Sequence, residues 1–494
     1  MCIRDSTYGL DGEIAFDVTR DPTTLELTRA QIFVGQRRGG SKYFAMDLIN
    51  ANFDDAPASP PVSKLWTLSD LPRMGQSWAA PIPTTINFCD DGSDPASCAE
   101  TEVLVISGGY SESYDDESAA VEDLAGTVVG NAIYIVDRAT GELLWIAGRP
   151  GQVEPGAGED YAYYTNDEMT HSFPTEPTVI DADGDGVSDL MFAIDIAGRV
   201  WRFDFRAHAT VTPFNTLVFD NNDIVRNANN NLVNNEAEVS AGIIADLSEP
   251  GVDRRFYNRL DISRFARTEN DLARYNIVVG SGYRAHPRFS EPAENRIYFI
   301  FDRNITTPLA IRDSNGDFDR ISYDYVGVET GLDNNINIDE LNSLGGNPLD
   351  TVSANRHGFF IPLPNTDEKL LNPTLTNAGT VLAVSYAPSA DVISGEVVCQ
   401  RTTGVSFLHR IDLDDGSFTT VDLDADGISA RPVVIEVPGD DGRPVKILVV
   451  GTETFETGPT DTDGDGEPNV PLDPSKSGEI RRFNWWERGR SLVQ

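Results

Sequence analysis

The chain is poor in positive charge: 38 Lys and Arg stand against 79 Asp and Glu, a formal charge of −41 over 494 residues. Nucleic acid and anionic lipid surfaces are recognised by basic patches, so this balance argues against both as partners. Long apolar runs are missing too. No stretch of about 18 apolar residues occurs, which removes a membrane-spanning helix and membrane insertion. Helical periodicity is scarce. Histidine is sparse: His171, His208, His286, His357 and His409 are scattered, with no HExxH pair. A Gly-x-Ser-x-Gly elbow is absent. Ser107-Gly-Gly109 lacks the Lys and Ser/Thr that a phosphate-cradling loop requires. No catalytic set emerges. His286, in Gly280-Ser-Gly-Tyr-Arg-Ala-His-Pro287, is the most suggestive histidine, and a buried structural role suits it better than catalysis.

Cysteine is nearly absent, with four in the chain. Cys2 lies in the opening Met-Cys-Ile-Arg-Asp-Ser, which has no apolar core of a signal peptide and joins abruptly to a strand-like stretch. Residues 1–6 read as a truncated or artefactual start, so the missing signal does not imply cytoplasmic residence. Cys89 and Cys98 bracket the polar loop Asp-Asp-Gly-Ser-Asp-Pro-Ala-Ser. They form either a small disulfide staple, as an oxidising compartment allows, or two free thiols. Neither a His nor a second Cys pair stands near to make them a metal site. Cys399 has no evident partner.

What is present points to an all-β chain. Hydrophobic residues make up 40%, with 23 Phe, 15 Tyr and 6 Trp, enough for packed cores rather than disorder. Short apolar runs bounded by Gly, Asp, Asn and Pro recur at Gln31–Gly35, Glu102–Gly108, Ala132–Asp137, Tyr275–Gly280, Arg296–Asp302, Thr380–Tyr386, Val405–Asp412 and Lys446–Gly451. These read as strands. Several share a pattern: a strand ending in Asp, a turn with Gly, then a strand carrying an aromatic residue. Gly130–Asp137 leads through Gly141 to Trp145, and Leu190–Asp195 through Gly198 to Trp201. Ser41–Asp47 leads to Trp66 after an insertion, and Gly404–Asp412 leads to Gly416. The Asp accepts turn amides, Gly supplies positive φ, and Trp packs between sheets. Such repetition fits a β-propeller, whose blades bury their faces against one another. An array of β-sandwiches is the alternative. The pattern is interrupted near 111–126, expected as an acidic surface excursion, at Asn-rich 219–238, and at polar 331–355, where a short helix could sit. An acidic Gly/Asp/Pro tail covers 457–479.

Asp181-Ala-Asp-Gly-Asp-Gly-Val-Ser-Asp189 has carboxylates at loop positions 1, 3, 5 and 9, with Gly at 4 and 6. Calcium takes six to eight oxygens in flexible geometry. Asp181, Asp183, Asp185, Asp189 and the Val187 carbonyl can supply them. Without an ion, each close carboxylate pair would repel by about 1 kcal/mol in water and more when partly buried. An acidic solvated turn is the alternative. An EF-hand requires an acid at position 12 and flanking helices, whereas position 12 is Phe192 and the flanks look like strands. Asp461, Asp463, Asp465 and Asn469 form a weaker copy. Asp422–Asp426 reads rather as structural, and Asp313–Asp319 is a remote further candidate.

The Asp137-x-x-Thr140-Gly141-x-x-x-Trp145 element resembles the repeat of pyrroloquinoline-quinone dehydrogenases, calcium-using propellers. A quinone-dependent enzyme is therefore an alternative, weakened by the lack of a vicinal Cys pair and of a central acid/base pair. A larger set of segments resembles the C-terminal propeller domain of the PilY-type type IV pilus biogenesis and tip adhesin proteins. It comprises Val34–Asp47, Gln76-Ser-Trp-Ala-Ala-Pro81, Ser107-Gly-Gly-Tyr110, Gly130–Trp145, Pro177–Asp204, Arg254-Arg-Phe-Tyr257, Gly280–Pro287, His357-Gly-Phe-Phe360 and Arg481–Glu487. That resemblance implies an all-β, modified propeller of the quinoprotein alcohol dehydrogenase-like kind over 7–494, incomplete at its N-terminus. It places Asp181–Asp189 at the family's calcium site. It further implies a non-enzymatic, secreted protein at the pilus tip, reached through the periplasm. There it would act in pilus biogenesis, in control of extension and retraction, and in adhesion. Its partners would be minor pilins of the tip complex and host or abiotic surfaces. A calcium-stabilised surface-binding propeller unrelated to pili is a third reading. No Arg-Gly-Asp tripeptide occurs, so integrin binding does not carry over.

Overall fold

The computed structural model describes residues 9–48, 62–89, 98–182, 184–205, 216–217, 225–226, 232–233, 240–249, 251–265, 274–290, 293–302, 310–312, 318–320, 332–333, 358–377, 379–388, 404–413, 418–438, 444–451 and 453–456. Among them there is no α-helix. Helical turns are confined to the 3-10 segments Arg37–Gly39, Glu112–Asp115 and Glu122–Leu124, and everything else regular is strand. Among the described residues no helix is long and apolar enough to cross a membrane. All eight strands expected from apolar runs are present. Arg296–Asp302 and Val405–Asp412 keep the expected bounds, and others extend by a few residues, such as Leu27–Gly35.

Residues cluster into two compact units, one of 1–260, 264–276 and 301–331, the other of 261–263, 277–300 and 332–494. The first unit carries three successive sheets. Ile14–Arg20, Leu27–Gly35, Tyr43–Asp47 and Ser63–Leu68 form a four-stranded antiparallel sheet in chain order. Ile82–Cys89, Cys98–Ser107, Ile133–Asp137 and Leu143–Gly148 form the next, extended in parallel at its two edges by Thr216–Leu217 and Ala162–Thr165. Thr178–Ile180, Leu190–Ile194, Arg199–Asp204 and Ser240–Asp246 form the third.

The middle sheet is covered on both faces. Leu104, Ile106, Tyr134, Val136 and Ile146 pack with Phe33, Tyr43, Ala45 and Trp66 of the first sheet. The alternate residues Val103, Val105, Ile133, Ile135 and Trp145 pack with Met191, Ala193, Trp201 and Phe203 of the third. Successive side chains of a strand point to opposite faces. A strand buried on both sides therefore reads as a continuous apolar run, which is why these segments carry no polar alternation. Trp145 and Trp201 are fully buried, the latter stacked 6.4 Å from Phe203.

The repeated turns have the expected chemistry. Asp137 Oδ1 accepts the Thr140 amide at 2.7 Å and its hydroxyl at 2.8 Å, and Gly141 takes φ +76°. Asp195 Oδ1 accepts the amides of Ala197 at 3.1 Å and Arg199 at 3.0 Å. The acidic stretch 111–126 exposes Glu112, Asp116, Glu117, Glu122 and Asp123 and is pinned from below: Tyr114 and Val121 are buried, and Arg255 donates to the carbonyls of Tyr114 at 2.5 Å and Ala119 at 2.9 Å. Those carbonyl bonds anchor it.

In the second unit, Lys369–Leu370, Thr380–Ala387, Val405–Asp412 and Phe418–Asp426 form an antiparallel sheet. Leu382, Val384, Leu408 and Leu423 meet Leu448 and Val450 of the neighbouring sheet built from Pro432–Pro438, Pro444–Val450 and Glu453–Glu456. Asp422–Asp426 lies in strand, not in a loop. Of 331–355, Leu332–Asp333 pairs in parallel with Gly358–Pro362, while the remainder, with its possible helix, falls outside the described residues. So does the tail 457–479.

Candidate metal site

Asp181–Asp189 connects Thr178–Ile180 to Leu190–Ile194, antiparallel strands with Ile180 opposite Leu190. Phe192 sits on the second strand, fully buried, with its ring 6.0 Å from that of Tyr275. Strand flanks and a core Phe at position 12 make the EF-hand impossible here.

Gly184 and Gly186 adopt φ +85° and +94°, conformations open to glycine. They fold the loop so that its own amides meet its carboxylates. Asp181 accepts the Gly184 amide at 2.6 Å through Oδ1 and the Gly186 amide at 2.8 Å through Oδ2. Asp185 Oδ1 accepts the Val187 amide at 2.8 Å. Asp189 Oδ2 accepts the Ala182 amide at 2.7 Å. Amide donors fix the orientation of each carboxylate, while each oxygen keeps a further lone pair for another partner.

The loop has two halves. Asp181, Gly184, Asp185 and Gly186 are exposed, whereas Val187, Ser188 and Asp189 are buried at 3%, 6% and 0% exposure. The buried half is fastened to strand Ile82–Cys89. The Ser188 amide donates to the Thr85 carbonyl at 2.8 Å, and the Ser188 and Thr84 hydroxyls are 2.6 Å apart. The Asp189 carbonyl accepts the Phe205 amide at 2.9 Å. Sequence reasoning did not find Thr84, Thr85 or Ser188. Nothing in a nine-residue motif announces a partner a hundred positions away.

The donor chemistry fits a hard cation: oxygen throughout, carboxylates preset by amides, one side open to solvent and the other rigid. Asp183 lies outside the described residues, as do Asp461, Asp463, Asp465 and Asn469. Among the described residues alone, no three His, Cys, Asp or Glu side chains come together to hold a metal.

Among the described residues, the histidines do not converge. His286 is half-buried, its ring 4.9 Å from that of Tyr283. His208 and His357 are outside the described residues. His409 lies in a buried network that sequence reasoning missed. Its Nε2 is 2.7 Å from Glu368 Oε1 and 2.8 Å from Ser385 Oγ, and its Nδ1 is 3.0 Å from Thr420 Oγ1. The residue types are those of a nucleophilic triad, but the wiring is not. A triad places acid and nucleophile on opposite ring nitrogens; here Glu368 and Ser385 share Nε2. Both side chains are sealed from solvent, at about 1% exposure. Burial pushes the Glu368 carboxyl up, but hydrogen bonds from His409, Ser385 and the Asn365 amide hold it below the ordinary range. That network is a cross-strand brace.

No family profile matches the chain, and no curated protein matches it in sequence. Among solved structures, the C-terminal domain of PilY1 from Pseudomonas aeruginosa superposes with TM-score 0.51 at 14% identity, covering 90% of this chain and 83% of that one. A quinohemoprotein alcohol dehydrogenase from Comamonas testosteroni gives TM-score 0.28 at 9% identity, covering 80% and 47%. BamB from Moraxella catarrhalis gives 0.26 at 8%, covering 90% and 87%. The first of these likenesses, with the stacked antiparallel sheets, identifies the fold as an all-β propeller distantly similar to the PilY1 C-terminal domain.

Proposed function

We propose that the chain binds calcium through Asp181, Asp183, Asp185, Asp189 and the Val187 carbonyl, and that it serves a type IV pilus as a non-enzymatic assembly and tip protein. The observation that carries the metal reading is the preset loop: three carboxylates oriented by the loop's own amides over a buried, tethered base. An ion at the loop would offset the mutual repulsion of its carboxylates and the cost of keeping Asp189 from water. The tether to Thr84 and Thr85 would pass this ordering to the neighbouring sheet.

The pilus reading rests on the ordered set of PilY-like segments and on the fold shared with the PilY1 C-terminal domain. It includes an extracellular setting, minor pilins as partners, surface adhesion, and calcium as the signal that favours extension over retraction. Calorimetry on the full chain tests the metal: calcium should release binding heat, and Asp185→Ala should weaken the affinity at least tenfold. An unchanged isotherm in that variant overturns the site. Recovery of the protein with sheared pili tests the assembly reading separately, and its exclusive presence in the cell body would refute it.

A further inference from the structure

The first sheet ends on strand Ile14–Arg20, which pairs with Leu27–Gly35 alone among the described residues. Six of the eleven exposed large hydrophobic residues among those described lie between Leu10 and Leu27. Ile14, Phe16 and Val18, two apart and so on one face, are 46%, 65% and 53% exposed. They stand opposite Val34, Ile32 and Ala30 in the register, and Val34 and Ala30 are buried. The exposed apolar row is therefore confined to the edge strand, which places its cover alongside the sheet rather than over it.

An open strand edge is a template for another strand, and proteins guard theirs with Lys, Pro, bulges or charge. Ile14–Val18 has little such guard. Its one charge, Asp17, points to the opposite face and is spent in ion pairs with Arg29 at 2.9 Å and Arg138 at 2.6 Å. The break in pairing with the neighbouring strand falls beyond it, between Thr19 and Arg20. In the turn that follows, Leu25 is exposed and holds φ +60°, a left-handed conformation that glycine takes at less cost. A bulky apolar side chain kept strained and in the open points from the outlier to a contact.

We propose that this edge docks a second copy of the chain, the two Ile14–Arg20 strands pairing antiparallel about a two-fold axis at Phe16. A two-fold axis makes one patch meet itself, so the strand must complement its own reverse. About Phe16 it does. Phe16 of one copy meets Phe16 of the other, Ile14 meets Val18, and the small Ala15 meets Asp17, so apolar residues face apolar ones and no like charges stand opposite. Farther out, Arg20 of each copy comes opposite Gly12 and beside Glu13, an opposite-charge contact at both ends. An axis at Asp17 would set two carboxylates face to face, and one at Ala15 would set Glu13 against Asp17. An unrelated acceptor strand would need no such self-complementarity, which is what favours a second copy.

The charge of −41 on each copy opposes association at long range, and salt screens it. Sedimentation velocity on the full chain, in about 0.5 M salt and from about 2 to about 200 µM, should show a monomer passing into a dimer. Phe16→Asp should raise the midpoint at least tenfold. Because Phe16 is largely exposed, that variant should melt within about 2 °C of wild type. Crosslinking gives a second readout that does not depend on it. Phe16→Cys sets two thiols about 5 Å apart across the axis, and oxidised glutathione should link them into a covalent dimer that peptide mapping places at position 16. Ile14→Cys, whose two copies lie on opposite sides of the axis, should link at least fivefold less. A monomer throughout, a dimer that Phe16→Asp leaves intact, or equal linkage through Ile14→Cys and Phe16→Cys would each overturn the proposal.

Discussion

His171 and Asp195 should give the first unit two opposing pH dependences that cancel in the wild type and separate in variants. Both side chains are fully buried, and Arg199 links them. An Arg199 Nη1 lies 3.2 Å from His171 Nδ1, and the Arg199 amide donates to Asp195 Oδ1 at 3.0 Å. A guanidinium only donates, so Nδ1 must accept, which leaves the imidazole neutral. Burial and the Arg199 charge push His171 down from 6.5 to about 4. Burial pushes Asp195 up from 3.8 to about 6, against the pull of Arg199. The folded state thus binds fewer protons at His171 than the unfolded chain, and stability is lost as pH falls from 6.5 towards 4. It binds more protons at Asp195, and stability is lost as pH rises from 3.8 through 6. Each corresponds to about 3 kcal/mol at 1.36 kcal/mol per pH unit. Urea unfolding from pH 4 to 7, read by tryptophan fluorescence, should show this in differences from wild type. Relative to wild type, His171→Asn should gain about 3 kcal/mol on acidification across that window, and Asp195→Asn should lose about as much. Flat difference curves, or curves of the same sign, would refute the reading of both groups.

Arg202→Ala should destabilise by about 3–5 kcal/mol, because it strands Asp204 and Asp302, which its guanidinium holds at 2.8 and 2.6 Å in a buried cluster; a loss below 1 kcal/mol in chemical denaturation would count against a tight pair. Gly198→Ala should cost about 1–3 kcal/mol, since its Cβ would stand 2.4 Å from Phe256 at a φ of +97°; calorimetric melting decides it, and an unchanged transition would show the turn to be pliable. Cys89 and Cys98 are backbone partners in the strand register, so alkylation of the non-reduced chain should leave this pair unmodified, and intact mass showing both alkylated would establish free thiols.

Much of the fold was legible because its grammar is local. An Asp that accepts the amides two and four residues on, as Asp195 does, needs only its own turn. A run such as Val103–Ile106 reads as strand because burial on both faces demands apolar side chains at every position. The carboxylates of the Asp181–Asp189 loop were legible for the same reason, since Asp181 and its amide donors lie within five residues. What could not be read depends on convergence. Ser385 and His409 meet because their strands pair, Glu368 joins them from the residue just before Lys369–Leu370, and Thr84 meets Ser188 only because two sheets stack. The acids of 111–126 announced its exposed side, while its anchoring through Tyr114 to the distant Arg255 could not be read.

The same distinction bears on how the Asp181–Asp189 loop could act beyond binding. A carboxylate cluster on a freely exposed turn would answer an ion locally and transmit nothing. Here the exposed half, with Asp181 and Asp185, leads directly into a half that is held by Thr84, Thr85 and Phe205. Any force that draws the exposed carboxylates together acts on backbone whose other end is fixed to the next sheet. Removing the side-chain part of the tether, the contact between the Thr84 and Ser188 hydroxyls, while keeping the ligands tests its share in the two roles. Thr84→Val and Ser188→Ala together leave Asp181, Asp183, Asp185 and Asp189 in place, so calcium should still bind within about threefold of the wild-type affinity. The calcium-dependent protection of Ile82–Cys89 amides in hydrogen exchange should fall. If that protection persists undiminished, the hydroxyl contact of Thr84 with Ser188 carries no part of the relay.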